Sequence, residues 1–486
     1  MSQWLAGHHL DHPRAIRSAD GLVRFGRDRK GISSLMGRRA PRSHVVRAGE
    51  LCASMKHLAS GFTMEIRLPN VLNGALHIAA RRHRQVTGIW RAEGYRGIAE
   101  RVRRLAAEQL KPRAIRWEVL PEDVMSADLT RRIVPPARPR CPGSPISLNW
   151  VTTPAASGSG GHTTTFRMIR YLESRGFRNS VYFYDAFNSD HRHYVQIARD
   201  AYGVECPIFD TREGIGDADG IIATSWASAY AVYNARCAGK RFYFVQDYEP
   251  RFYAAGSFSL LAENTYRMGF HGITAGRWLA GKLSSEFGMQ TDYFPFGCDT
   301  SQYRRDPGSK RSGAAFYARS ETPRRGFELG ILALRIFAER NPDIQVHLFG
   351  ERTGDLPLNI IDHGLVSPAR LNAIYNQCYA GLCLSLTNVS LVPHEMLASG
   401  CIPVVNDAEH NRMVLDNPNV RYAPAEPHAL ARALEEAARA PDFQAASLRA
   451  AESVKTTSWD EAGAFVAAAL RRALEPVALE VSEVSG

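Results

Sequence analysis

The pattern of apolar and polar positions changes character twice along the chain. From residue 146 onward, short apolar runs alternate with longer stretches in which apolar residues recur at helical spacing. The runs at 146–151, 179–185, 220–224, 241–245, 272–275 and 293–296 predict strands, and 163–174 predicts a helix. The rhythm then restarts. Strands are predicted at 313–317, 344–349, 360–363, 380–386 and 401–405, and helices at 328–339, 368–376, 393–399 and 427–451. A last amphipathic helix is predicted over 459–474. Short, wholly apolar strands alternating with helices suit parallel sheets covered on both faces. The predicted fold class is α/β, with two Rossmann-like doubly wound parallel-sheet domains facing across a cleft. Ligand crevices of such sheets lie at the carboxyl ends of the strands. The predicted divisions are an extension over 1–140, a first domain over 146–295, a second over 296–455, and a returning helix and tail over 456–486.

Residues 1–140 lack this rhythm. They hold 27 Lys and Arg against 12 Asp and Glu, a net charge of +15, whereas residues 141–486 carry −4. The overall +11 therefore describes a near-neutral body with a basic N-terminal extension. Residues 1–60 are expected to be weakly folded. Over 94–110, Tyr95, Ile98, Val102 and Leu105 fall at helical spacing among Arg96, Arg101, Arg103 and Arg104. This basic amphipathic helix suits either a packing face or an anionic membrane surface. Five prolines over 133–147 read as a linker. No apolar run reaches the 18 or so residues of a membrane span, and no leader pattern opens the chain. The eight cysteines form no Cys-x-x-Cys pair, which points to a reduced, cytoplasmic protein, peripheral to the membrane at most.

Two loops carry candidate chemistry. Gly158, Gly160, Gly161 and His162 lie between a predicted strand and a predicted helix. The loop is an incomplete dinucleotide fingerprint, because Thr163 stands at the third glycine position. Its other readings are a tight turn, or a backbone that closes on an acceptor or on a phosphate. The segment 390–405 is more specific. A predicted strand leads to Ser390, Leu391 and Val392, and Pro393 falls in the first turn of a helix. Free amides at such a helix start can hold a diphosphate, and Glu395 can accept hydrogen bonds from ribose hydroxyls. No metal-ligand spacing is apparent, so neither a metal nor another cofactor is expected.

The 390–405 segment resembles the donor region of retaining glycosyltransferases of GT-B family 4, and more closely that of WsaF-type rhamnosyltransferases. Other blocks share the resemblance: Phe316 to Ser320, Arg324 to Glu328, Leu348 to Glu351, His363 to Leu365, and Leu371 with Tyr375. In the first domain the similar blocks are Thr224 to Trp226, Val245 to Pro250 and Gly272 to Leu279. The resemblance spans about 146–474 and implies transfer of a sugar, L-rhamnose from dTDP-β-L-rhamnose, onto a surface glycan or lipid-linked glycan. It places Arg319 and Arg325 on the donor diphosphate and Glu395 on the ribose. Gly350, Glu351, Tyr375, Asn388, Ser390, Leu391 and Val392 would line the rest of the donor site. Gly158, Gly160, Gly161, His162, Trp226, Asp247 and Glu249 would face the acceptor, with Trp226 offering a stacking face. Asp247 and Glu249 would bind acceptor hydroxyls or assist proton removal; capping is the other reading of both acids.

One position departs from the family. Where its first donor-site acid stands, eight residues before Glu395, this chain has Thr387. The departure suggests a deoxy sugar as donor, or loss of activity. The alternatives are therefore another nucleotide sugar on the same fold, or a non-catalytic GT-B binding protein. Nucleic acid is not an expected partner.

Overall fold

A computed structural model of the chain describes residues 87–475, apart from 89, 107–108, 110–116, 132–133, 137, 142, 354–355 and 357. The expectation for residues 1–60 lies outside the described residues. The chain divides into two compact units, one over 9–115 and one that contains 116–486. In the smaller unit, residues 90–106 are helical.

The larger unit holds two sheets. The first consists of β1 (Ser147–Thr152), β2 (Arg178–Phe183), β3 (Ile208–Asp210), β4 (Gly220–Ala223), β5 (Lys240–Val245), β6 (His271–Ala275) and β7 (Thr291–Phe294). Their spatial order is β3-β2-β1-β4-β5-β6-β7, and every pair is parallel. The second contains β8 (Gly313–Tyr317), β9 (Gln345–Phe349), β10 (Ile360–Asp362), β11 (Cys378–Leu382), β12 (Ile402–Asn406) and β13 (Arg421–Ala423), in the order β10-β9-β8-β11-β12-β13, again all parallel. The chain order reverses direction beside β1 and beside β8, so each sheet opens a crevice at the carboxyl end of that strand. The central strands are buried along most of their length, because helices cover both faces. Trp150, Phe244 and Phe294 form one aromatic seam through the first sheet, with ring centroids 5.6 and 5.0 Å apart.

The structure corrects several sequence expectations. The strands β3 and β13 escaped notice: each has three residues and lies at a sheet edge, where partial exposure breaks the apolar run. The predicted helix over 427–451 is two helices, Pro427–Ala438 and Phe443–Glu452. Pro441 between them cannot continue the backbone ladder. The described residues of 117–140 belong to the larger unit rather than to an extension ending at 140. The Tyr184 hydroxyl accepts from the Leu120 amide at 2.8 Å and donates to Asp123 at 2.7 Å, and the Tyr233 hydroxyl donates to the Asp128 carbonyl at 2.9 Å. The Pro-rich stretch is likewise held down, with the Gly239 amide donating to the Pro136 carbonyl at 3.1 Å.

Four helices position the site: α1 (Gly160–Ser174), α2 (Trp226–Asn234), α3 (Val392–Ala398) and α4 (Trp459–Leu474). After the second sheet the chain returns to the first, and α4 packs on α1 and β7. Gly463 permits this approach: a Cβ there would lie 2.4 Å from the Tyr171 ring. Arg472 pairs with Asp292 at 2.7 Å, and Phe465 lies against Tyr293 with centroids 6.1 Å apart.

Candidate active site

The crevice of the second sheet is lined by cations. Arg319 follows β8, and Arg324 and Arg325 lie on the short turn Pro323–Arg325. The Arg325 Nη1 donates to Ser385 Oγ at 2.8 Å and to the Asn388 carbonyl at 3.2 Å. The Arg324 guanidinium lies 4.1 Å over the Phe252 ring, and its Nε is 3.3 Å from Asp247 Oδ2. The Arg325 Nη2 is 4.0 Å from the same oxygen. Arg319 Nη1 donates to the Gly350 carbonyl at 3.4 Å. Burial lowers the pKa of Arg324; Asp247 opposes that shift, and the charges of Arg325 and Arg319 add to it. Arg324 Nε, Thr387 Oγ1 and Asn388 Oδ1 are buried without hydrogen-bond partners among the described residues. Two guanidinium groups thus face one carboxylate, with the Arg319 charge nearby and the donors Arg324 Nε and Thr387 Oγ1 left unsatisfied. Such a site favours an anion able to take several charge-assisted hydrogen bonds. The sequence reading missed Arg324, and the Arg324-Arg325 doublet was its only signal.

Asp247 bridges the two sheets. Its Oδ1 accepts from the Asn388 amide at 2.7 Å and from the Tyr248 amide at 2.8 Å. In return the Asn388 side chain donates to the Gln246 and Ala275 carbonyls, each at 2.9 Å. The loop after β11 is therefore pinned to the carboxyl ends of β5 and β6. Asn388 is fully buried in this junction, and its carbonyl accepts from Arg325. Asp247 is buried as well, held by Asn388 and the arginines rather than presented to an acceptor.

Glu249 and Trp226 also differ from expectation. The Glu249 Oε2 accepts from the Trp226 amide at 2.6 Å, which caps the start of α2 from outside that helix. Burial pushes its carboxyl up to about 8, so the group is a protonated core residue at neutral pH. Trp226 is buried, its indole N–H donates to the Tyr253 hydroxyl at 2.9 Å, and Tyr230, Tyr253 and Phe258 pack around it. Its rings are occupied and offer no face to a sugar.

Glu395 lies on α3, whose N-cap Leu391 supplies no side-chain cap. Its carboxylate accepts from the Tyr375 hydroxyl at 3.2 Å, and burial pushes it up to about 7. Tyr375 is fully buried behind it, between Tyr303 and Phe349, and so cannot lie under a nucleobase. Arg167 of α1 reaches this region from the first sheet. It pairs with Asp299 at 3.8 Å, lies 4.6 Å over Trp459, and favours the ionised form of Glu395. Among the residues chosen from the sequence, Ser390 and Leu391 are partly exposed and Val392 is buried. Gly350 has φ +120°, and a Cβ there would lie 2.5 Å from the Ala318 carbonyl. It allows β8 and β9 to end close together. Glu351 accepts from the Ser320 amide and hydroxyl, which folds the loop after Arg319.

On the first sheet, Gly158, Gly160 and Gly161 are exposed beyond β1. Gly158 has φ +79°, and a Cβ at Gly158 or Gly160 would meet nothing within 4 Å. His162 fixes the loop from beneath: its Nδ1 meets Ser159 Oγ and its Nε2 the Thr153 carbonyl, both at 2.9 Å. Burial lowers the His162 pKa. The loop is thus open, and the histidine is engaged in holding it. No group of three or more metal-binding side chains is present among the described residues.

Two facing Rossmann-like sheets with a helix returning to the first define the GT-B fold. Solved structures share it. The sucrose-phosphate synthase of Thermosynechococcus elongatus superposes with TM-score 0.53 at 13% identity, covering 68% of this chain and 99% of that one. Anabaena HepE, in complex with UDP and glucose, gives 0.52 at 15% identity over 68% and 99%. TarM of S. aureus, in complex with fondaparinux, alpha-GlcNAc-glycerol and UDP, gives 0.55 at 6% identity over 68% and 99%. More particularly, residues 313–435 match the family model of the WsaF C-terminal domain. The match spans all six strands of the second sheet. The O-antigen biosynthesis protein RfbC of Myxococcus xanthus is 37% identical over 250 residues, which are 49% of this chain and 20% of that protein. The chain spans about a fifth of the length of this curated relative.

Proposed function

We propose that this chain is a glycosyltransferase of O-antigen or related surface-polysaccharide assembly. It binds a nucleoside-diphosphate sugar on the second sheet and a glycan acceptor across the cleft, at the glycine loop of the first. The observation that carries this reading is the convergence of Arg319, Arg324 and Arg325 on a crevice containing one carboxylate. When the bond from the anomeric carbon to the diphosphate breaks, negative charge develops on the leaving oxygen. Fixed guanidinium groups in a buried site stabilise that charge without reorganising. Glu395 takes the ribose hydroxyls, and Gly350 and Glu351 shape the loop that brings Arg319 to the site.

The donor assigned is dTDP-β-L-rhamnose, transferred with retention. Thr387 supports the deoxy sugar: it puts a hydroxyl where the resembling enzymes carry an acid that contacts the donor sugar. In a retaining transfer the departing phosphate can take the acceptor's proton. That fits a site in which Glu249 is sealed in the core and Asp247 is held by arginines. The RfbC match and the UDP and glucose in HepE support the wider class.

The test is release of nucleoside diphosphate from a panel of dTDP-, UDP- and GDP-sugars, with and without a lipopolysaccharide-derived acceptor. Acceptor-dependent release from dTDP-rhamnose, with a β-linked product by NMR, is expected. Acceptor-dependent release from a UDP- or GDP-sugar alone would refute the rhamnosyl assignment. Nucleotide binding with no release from any donor would favour the non-catalytic reading that Thr387 also permits.

A further inference from the structure

The helix over 90–106 has a face that no described residue covers. At about 100° per residue, Tyr95, Ile98, Val102 and Leu105 fall within an arc of about 80°. Trp90 lies beside that arc. Trp90, Tyr95, Val102 and Leu105 are between 57% and 74% exposed. Four large apolar side chains so exposed on 17 residues are not the scattered surface hydrophobics of an ordinary soluble face.

The same helix is basic. It holds Arg91, Arg96, Arg101, Arg103 and Arg104 against Glu93 and Glu100, a net charge of +3. Arg101 pairs with Glu93 at 2.6 Å, and Arg104 pairs with Glu100 at 3.3 Å. Arg91 and Arg96 have no ion-pair partner among the described residues. Arg96 and Arg103 project opposite the apolar arc, and Arg101 flanks it. The helix is far too short and too charged to cross a bilayer, and no described helix is long and apolar enough to do so.

We propose that residues 90–106 form an in-plane anchor for an anionic lipid bilayer. The apolar arc enters the headgroup boundary, the Trp90 and Tyr95 rings lie at that boundary, Arg101 reaches the phosphates with its stem along the apolar surface, and the charges of Arg96 and Arg103 add attraction at longer range. Charge complementarity favours this occupant: the net +15 of residues 1–140 adds attraction to a negative leaflet at each nearby cation. A nucleic acid would require cations, not an apolar arc, at the contact. A second copy is disfavoured because the arc covers only two heptads and includes Gly94 and Gly97 within its turns. The inference is independent of the proposed reaction.

The test is co-sedimentation of the full chain with phosphatidylcholine vesicles containing 30% phosphatidylglycerol, with pure phosphatidylcholine vesicles alongside. Salt-sensitive partition onto the anionic vesicles only is expected. It should fall at least tenfold in the double variant Tyr95→Glu with Val102→Glu, and also in Arg96→Glu with Arg103→Glu. Leu365→Glu, at an exposed leucine of the other unit, should leave it unchanged. All these side chains except Arg96 and Arg103 are exposed apolar groups, and far-ultraviolet circular dichroism and the melting temperature check that each variant folds. Partition that survives the Tyr95 and Val102 changes overturns the proposal. So does vesicle-independent self-association lost with those changes, or RNA binding in place of lipid binding.

Discussion

Replacing Glu249 by Gln separates a capping carboxyl from a catalytic one. Glu249 is buried and rises from an ordinary value of 4.5 to about 8. In the unfolded chain it ionises near 4.5, so between the two values unfolding releases a proton. The sign follows from that release. Stability is highest below pH 4.5 and falls as pH rises, by about 1.4 kcal/mol per pH unit, until the folded carboxyl ionises. From pH 5.5 to 8.0 this one group accounts for a loss of about 3 kcal/mol. Gln keeps an oxygen for the Trp226 amide but has no proton to exchange. Urea unfolding of both proteins at the two pH values gives the comparison. The stability of Glu249→Gln relative to wild type should improve by about 3 kcal/mol between pH 5.5 and 8.0, with turnover retained within about twofold. A difference constant across that range, or a large fall in turnover with folding intact, would refute a buried cap and return Glu249 to the reaction.

Other changes test the junction and the loops. Asn388→Ala removes two hydrogen bonds between the sheets and leaves the Gln246 and Ala275 carbonyls without those donors. A loss of about 2–4 kcal/mol is expected, read as a lower melting temperature, with a larger radius of gyration in small-angle scattering. Gly350→Ala forces a Cβ against the Ala318 carbonyl at a positive φ; chemical denaturation should show a cost of about 2–4 kcal/mol. Glu395 is pushed up to about 7, so the carboxylate form proposed to accept from the ribose grows between pH 6 and 8. Affinity for a nucleotide sugar, which has no phosphate group titrating there, should rise over that range in wild type and stay flat in Glu395→Gln, as measured by calorimetry.

Much of the fold was legible because parallel strands buried on both faces are uniform apolar runs. The edge strands β3 and β13 were not, since Asp210 in β3 and Arg421 in β13 put a charge into a run of only three residues. At the site, the sequence located the turn that carries Arg325 and the helix that carries Glu395. It could not show that Arg324 also faces the crevice, because adjacent residues on a loop have no periodicity to orient them. Asp247 and Asn388 are 141 positions apart, and their pairing exists only once two sheets meet. Glu249 caps a helix that begins 23 residues before it, so no local capping pattern marks it. Trp226 looked available to a sugar because composition does not reveal that Tyr253 and Phe258 surround it.

The central claim is that the arginine cluster is the donor-phosphate site and that Asp247 competes with the donor for Arg324 and Arg325. Calorimetric titration of dTDP into wild type, Arg324→Ala and Asp247→Asn tests it most directly. Loss of a charge-assisted contact of about 1.5–3 kcal/mol should weaken binding roughly 10- to 150-fold in Arg324→Ala. Removing the competing carboxylate should tighten it several-fold in Asp247→Asn. Equal affinity in all three proteins, with each folded, would contradict the account.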